Sequence, residues 1–283
     1  MAGFIARQER FAVVGSTNDV VRGWLADGTP EVCLAIADEQ TAGRGREGRT
    51  WQAPAGGALL LSLGFRPDWL APAQVWRLTA VVSLAMADAA EDVAGLPDGT
   101  IRLKWPNDLV IDTAEGVRKL AGVLGETDGL GGTDPRAVIG LGLNSDWART
   151  DFPAELVGTM TSLREASPGA PIDHVGLLER FLGRLETRIQ ALRDGRFDEA
   201  DWAERQLTTG RDVELVAPDG AVMTVRALGV DAVSGALVVD DQGAPSGERQ
   251  VVVGEIRHVR LPQAGPAATG SAASAASPAG AGV

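Results

Sequence analysis

Apolar positions recur along this chain with two periods, first helical and strand-like in mixture, then almost purely strand-like. Ser16-Thr17-Asn18-Asp19 precedes VVRGWLADG and Gly28, the pattern of a helix opened by N-capping residues and stopped by glycine. A strand is expected over 32–38, then a Gly/Arg-rich loop over 39–57, and ALLLSLGF at 58–65 reads as a buried strand bounded by glycines and Pro67. Residues 73–93 form a buried helix, and shorter strands follow at 101–104, 108–112, 119–127 and 136–143. Strands outnumber the helices between them, which favours α+β with a mixed or antiparallel sheet and flanking helices over strict βαβ alternation. A helix over 174–193 places Leu177, Leu178, Phe181, Leu182, Leu185, Ile189 and Leu192 on one face, with a partner helix over 198–206.

From Gly210 the period becomes two. Short strands around 212–217, 221–229, 235–240 and 249–261 are separated by Pro218-Asp219-Gly220, Ser234-Gly235 and Asp241-Gln242-Gly243, the pattern of a small all-β barrel. After Pro262 the chain holds Gln263 and then only Ala, Gly, Ser, Pro, Thr and Val, without periodicity, and is expected to be disordered. The expected division is a first domain over 1–207, a barrel over 208–262 and a tail over 263–283.

Composition narrows the function classes. With 45% hydrophobic residues the chain is of ordinary globular type, and its net charge of −12 disfavours a protein that lives on nucleic-acid phosphates. Cys33 is the single cysteine, so no disulfide forms within the chain. It lies in the apolar run VCLAIAD and reads as a buried thiol. The N-terminus lacks a long apolar segment of the signal-peptide kind, and the stretch 75–90 is too short and too often interrupted to span a bilayer. The cytoplasm is the expected location.

Five cationic side chains fall at two spots. Gly43-Arg44-Gly45-Arg46-Glu47-Gly48-Arg49-Thr50-Trp51 formally matches GxGxxG, but the loop runs through further glycines into a strand instead of opening a helix, so the dinucleotide reading fails. What remains is a flexible loop with three guanidiniums, Arg44, Arg46 and Arg49, suited to carboxylate and phosphate oxygens. A solvated or RNA-contacting loop is the alternative. The second spot is Lys104-Trp105-Pro106-Asn107-Asp108-Leu109, with Asn107 and Asp108 at a strand junction. It is followed by Lys119-Leu120-Ala121-Gly122-Val123-Leu124-Gly125-Glu126, where Lys119 reads either as a surface residue or as a functional cation. In Gly140-Leu141-Gly142-Leu143-Asn144, alternating glycines mark one strand face for close approach of a backbone or ligand. No GxSxG elbow, Cys/His pair or GxxxxGK[ST] loop is present, which suits a reaction made of positioning and charge stabilisation.

Together these segments resemble the biotin protein ligases, in the short form without an N-terminal DNA-binding domain. The likeness runs over residues 10–261 and rests on Ser16-Thr17-Asn18, Gln40, the Gly43–Trp51 loop, Lys104–Leu109, Lys119–Glu126, Gly140–Asn144 and Gly254-Glu255-Ile256. It implies a class II synthetase-like ligase core with an SH3-like C-terminal barrel, and ATP-dependent conversion of biotin to biotinyl-5'-AMP. Transfer to a lysine of a biotin carboxyl carrier domain of an acyl-CoA or pyruvate carboxylase follows, by a monomer or a homodimer. By the same resemblance Ser16, Thr17, Asn18 and Gln40 bind the ring end of biotin, Gly43 and Arg44 belong to the loop over the intermediate, and Gly122, Leu124, Gly140 and Gly142 line the biotin slot. Lys119 meets the carboxylate and α-phosphate. Arg46, Arg49, Trp51, Asn107 and Asn144 face the nucleotide, and Asp108 makes a polar contact with the reacting lysine. Lys119, Arg46 and Asp108 form the implied catalytic set, with Mg2+ carried by the ATP phosphates.

The chain departs from that pattern at Glu47, where relatives carry a basic or polar residue, and at Met160, where an aromatic ring against adenine is expected. No helix-turn-helix fits in the first fifteen residues, so DNA binding is not expected. A lipoate or octanoate ligase of similar fold and a non-enzymatic RNA- or nucleotide-binding module are the competing readings. The arginine-glycine loop with KWPND argues against the first, and the charge and absence of Tyr against the second.

Overall fold

The structure, a computed structural model, describes residues 3–167, 171–216, 222–252 and 258–260. The expected tail at 263–283 and the Gly254-Glu255-Ile256 segment lie outside them. The elements in order are β1 (Arg7–Val14), α1 (Thr17–Ala26), β2 (Cys33–Gln40), β3 (Ala58–Phe65), α2 (Trp76–Ala94), β4 (Ile101–Lys104), β5 (Asp108–Thr113), β6 (Gly116–Asp128) and β7 (Arg136–Asn144). They continue with α3 (Leu163–Ala166), α4 (His174–Arg193), α5 (Glu199–Glu204), β8 (Asp212–Val216), β9 (Val222–Val230), β10 (Leu237–Asp240), β11 (Glu248–Val251) and β12 (His258–Arg260).

Seven strands form a mixed sheet in the order β1-β2-β3-β7-β6-β5-β4. Only β1 and β2 run parallel; every other neighbouring pair is antiparallel. The fold class is therefore α+β with flanking helices, as the strand-rich pattern implies. The pattern marked neither the four-residue α3 nor β1. β1 is an edge strand whose residues are all partly or fully exposed, so RQERFAVV carries no buried apolar row to betray it.

β3 lies between β2 and β7 and all eight of its residues are buried, which explains its unbroken apolar run. One sheet face carries Leu61, Leu63, Ile139, Leu141 and Leu143 into a core closed by α2 and α4, with Leu78, Leu84, Met86, Phe181 and Leu185 fully buried there. α1 covers the other face. It comes close because β3 has Gly64 beneath it: a Cβ there would stand 2.5 Å from Cys33 Sγ and 2.7 Å from Val21 Cγ1. Burial pushes the Cys33 thiol up to about 11, so it packs as a small apolar group.

A second sheet has the order β11-β10-β9-β8-β12. Its apolar cluster holds Val213, Leu215, Ala227, Leu237, Val239 and Val251. The two sheets meet where residues 205–207 run beside β4, with Leu103 N–H donating to Arg205 O at 2.8 Å and Leu207 N–H to Leu103 O at 2.7 Å. Among the described residues no helix is long and apolar enough to cross a membrane.

Glu91 secures this junction from within. At 1% exposure it accepts the Ile101 N–H at 2.6 Å and Arg205 at 2.9 and 3.0 Å, while Arg205 also reaches Asp88 at 2.7 Å. Removing one partner of a buried ion pair strands the other charge. Glu91→Ala is therefore expected to lower unfolding stability by about 3–5 kcal/mol in urea titration, and a loss below about 1 kcal/mol would contradict this role.

Candidate active site

The site begins where α1 starts. Ser16 stands at the N-cap position but makes no side-chain capping hydrogen bond. The role expected of it is taken by Gln40 at the end of β2, whose Oε1 accepts the Thr17 backbone N–H at 2.8 Å and lies 3.1 Å from the Thr17 hydroxyl. Ser62 on β3, which the sequence reading did not single out, completes the arrangement. Its hydroxyl donates to Asn18 Oδ1 at 2.6 Å and lies 2.7 Å from Thr17 Oγ1. Its signal was a lone hydroxyl within ALLLSLGF.

Asn18 is locked at both ends of its amide, since Nδ2 donates to Glu126 Oε2 at 2.7 Å. Glu126 in turn accepts from Arg22 at 2.6 Å, and Arg44 is bidentate on Asp19 at 2.7 and 2.8 Å. Arg44 hydrogen bonding holds the Asp19 carboxyl below the usual carboxylate range. The Gly43–Trp51 loop is thus tied to α1 at its first arginine. It carries a short 3-10 turn at Arg46–Gly48 rather than the α-helix that a dinucleotide fingerprint requires.

The expected glycine face is present, and protein side chains lie on it. Gly122 and Gly142 are paired across β6 and β7, and Gly140 pairs with Leu124 two residues along. A Cβ on Gly140 would stand 2.2 Å from Asn18 Oδ1; one on Gly142 would stand 2.5 Å from the Trp51 ring. The same ring lies 3.2 Å from the Cβ position of Gly122. Trp51, assigned by resemblance to the nucleotide, therefore sits over the glycines assigned to biotin, with its indole N–H buried and unpartnered among the described residues.

Lys119 reaches this face through a β-bulge. Leu109 pairs with Ala121 and Val110 with Lys119, so Leu120 is the extra residue and both Leu120 and Ala121 enter the main core. Lys119 Nζ then lies 2.7 Å from Asp108 Oδ1 and 5.4 Å from the Trp51 ring centroid. Lys104, opposite Asp108 in the β4–β5 pair, places Nζ 3.7 Å from its other oxygen. Burial depresses the Lys104 pKa, opposed by Asp108 and reinforced by Lys119 and Arg49. Two lysines thus converge on one carboxylate.

Between them the Trp105-Pro106 turn is held on one side by Asn107, which exchanges two hydrogen bonds with Val123 at 2.9 and 2.8 Å. A cavity of about 340 Å3 opens beside it, with Arg46, Lys104, Asn107, Asp108 and Leu124 in its wall. Asn144 is buried and donates to Thr161 O at 3.1 Å. Met160 belongs to the segment bonded to the Lys119 backbone, where Lys119 N–H donates to Thr159 O at 2.7 Å and Thr161 N–H to Lys119 O at 2.9 Å.

Residues 11–144 match the Biotin/lipoate A/B protein ligase family. Over 257 residues the chain is 36% identical to a biotin–[acetyl-CoA-carboxylase] ligase of Mycobacterium tuberculosis, covering 88% of each protein. The chain belongs to the biotin protein ligase family. The bifunctional ligase/repressor BirA of Escherichia coli is 31% identical over 82% of this chain and 68% of its own length. A biotin protein ligase from Aquifex aeolicus, solved with biotin and ATP, shares the fold with a TM-score of 0.73 at 24% identity, over 90% of this chain and 99% of that one.

Asn18 and the glycine face give this ligase a direct structural test. Gly140→Ala must expel Asn18 from its bonds to Ser62 and Glu126, and is expected to cost about 1–3 kcal/mol. In an Asn18→Ala background the cost should largely vanish. Equal costs in both backgrounds, by urea titration, would contradict the close approach.

Proposed function

We propose that this chain activates biotin with ATP to form biotinyl-5'-AMP and transfers biotin to a lysine of a biotin carboxyl carrier domain. The observation that carries the reading is Lys119 set by its bulge beside Asp108, at the edge of a glycine face roofed by Trp51. The family membership and the biotin–[acetyl-CoA-carboxylase] ligase of similar length support the substrate and the acceptor class.

In the first step a biotin carboxylate oxygen attacks the α-phosphorus of ATP, the bond to the β-phosphate oxygen breaks, and pyrophosphate leaves. Lys119 neutralises charge on the carboxylate and α-phosphate, while Arg46, Arg49 and Lys104 face the departing phosphates. Asn107 and Asn144 face the nucleotide. Thr17 and Gln40, with Ser16, Asn18 and Arg44 around them, form the polar end for the biotin ring, and Gly122, Leu124, Gly140 and Gly142 form the apolar slot. In the second step the acceptor's neutral ε-amine attacks the acyl carbon, AMP leaves, and the surplus ammonium proton passes to Asp108 or water. Mg2+ would be carried mainly by the ATP phosphates and water and would supply further neutralisation of their charge.

The ligase core is assigned to residues 1–207 and the second sheet to an SH3-like barrel over 208–262. The acceptor is the carrier domain of an acyl-CoA or pyruvate carboxylase. The enzyme works in the cytoplasm, as a monomer or a homodimer, without binding DNA.

Lys119→Ala is expected to slow single-turnover formation of biotinyl-5'-AMP by about a hundredfold or more, the scale for losing one preorganised charge contact. Wild-type rates in that variant would remove Lys119 from the mechanism.

A further inference from the structure

The turn that carries Lys104, Asn107 and Asp108 is gripped from outside its own sheet. Trp105 is 3% exposed and packs with Val213, Leu215, Leu237, Val239 and Val251 of the five-stranded sheet. It is the one member of that apolar cluster contributed by the seven-stranded sheet's chain segment. Its indole N–H donates to Gly235 O at 2.9 Å, and its backbone N–H to Thr208 Oγ1 at 3.2 Å. The turn that supplies Gly235 is itself clamped to α2. Arg77 donates to Ala232 O at 3.0 Å and Trp76 to Val233 O at 3.3 Å, while Gly235, at φ 73°, leaves its Cβ position only 2.6 Å from the Trp76 ring.

We infer that the five-stranded sheet takes part in adenylation through Trp105, a positioning residue that sets Lys104, Asn107 and Asp108 against Lys119. This deepens the ligase reading and rests on it. A Trp ring fills more of a small apolar cluster than any other side chain, so that core closes only with the active-site turn in its grip. From there two peptide units lead to Asn107, bonded to Val123, and a third to Asp108, bonded to Lys119. A shift at Trp105 therefore moves the cations relative to one another, and misplacement on the order of 1 Å can cost about a hundredfold in rate.

Three full-length variants test this. Trp105→Phe keeps a ring and deletes the bond to Gly235; Val239→Ala loosens the same cluster from β10. Ile189→Val, in the core on α4, serves as a mild destabilisation elsewhere. Trp105→Phe and Val239→Ala are expected to slow biotinyl-5'-AMP formation about tenfold or more, with biotin KM held within about twofold, while Ile189→Val changes neither. In an Asp108→Asn background, Trp105→Phe should add little, because both changes act on one arrangement. Unchanged rates in both cluster variants, losses that multiply with Asp108→Asn, or biotin KM rising as the rate falls would each overturn the inference. A wild-type chain that makes no biotinyl-5'-AMP would instead strike the ligase reading. Amide hydrogen exchange over residues 103–108 then decides the anchoring by itself: faster in Val239→Ala supports it, and unchanged overturns it.

Discussion

Where Lys119 points depends on one extra residue in β6. In an uninterrupted strand Lys119 would alternate to the face opposite Gly122 and lie in the core with α2. With Leu120 bulged, Leu120 and Ala121 both enter that core and Lys119 joins Gly122 on the glycine face. The rest of the site follows from that placement. Asp108 stands across on β5 within hydrogen-bond distance, Trp51 lies over the bare strand positions, and the segment around Met160 ties off the Lys119 backbone.

The electrostatic arrangement has two separate parts. At the α1 end, Asp19 and Glu126 answer Arg22 and Arg44, so charges there are matched by protein groups. At the turn end, Lys104 and Lys119 share the carboxylate of Asp108. Burial already disfavours the charged form of Lys104, and the neighbouring cations add to that. In the proposed reading an incoming polyphosphate offsets the second of these two lysine charges, and a desolvated site makes each such contact stronger than it is in water. The proposed reading gives the α1 end to the neutral ring and the turn end to the phosphate chain.

Much of this was legible from residue order alone, and the exceptions have physical reasons. The buried β3, the antiparallel run from β4 to β7 and the helices over 73–93 and 174–193 follow from apolar spacing. β1 escaped because an exposed edge strand has no buried row, and Gln40 as the partner of the α1 N-terminus escaped because it is twenty-three residues from Thr17. The glycine spacing at 140 and 142 correctly marked close approach, but not that Asn18 and Trp51 are what approaches. The bulge left a trace in Lys-Leu-Ala-Gly, where two consecutive apolar residues break a period of two. Trp105 left none, since a Trp between Lys and Pro does not say which core will take its ring.

The most direct measurement is ATP–pyrophosphate exchange by the purified chain with biotin, with lipoate, or with neither added. Exchange that depends on biotin is the predicted result and would establish the substrate and the adenylation step together. Exchange driven by lipoate instead, or none with either acid, would contradict the assignment of the glycine face and its cations to biotin activation.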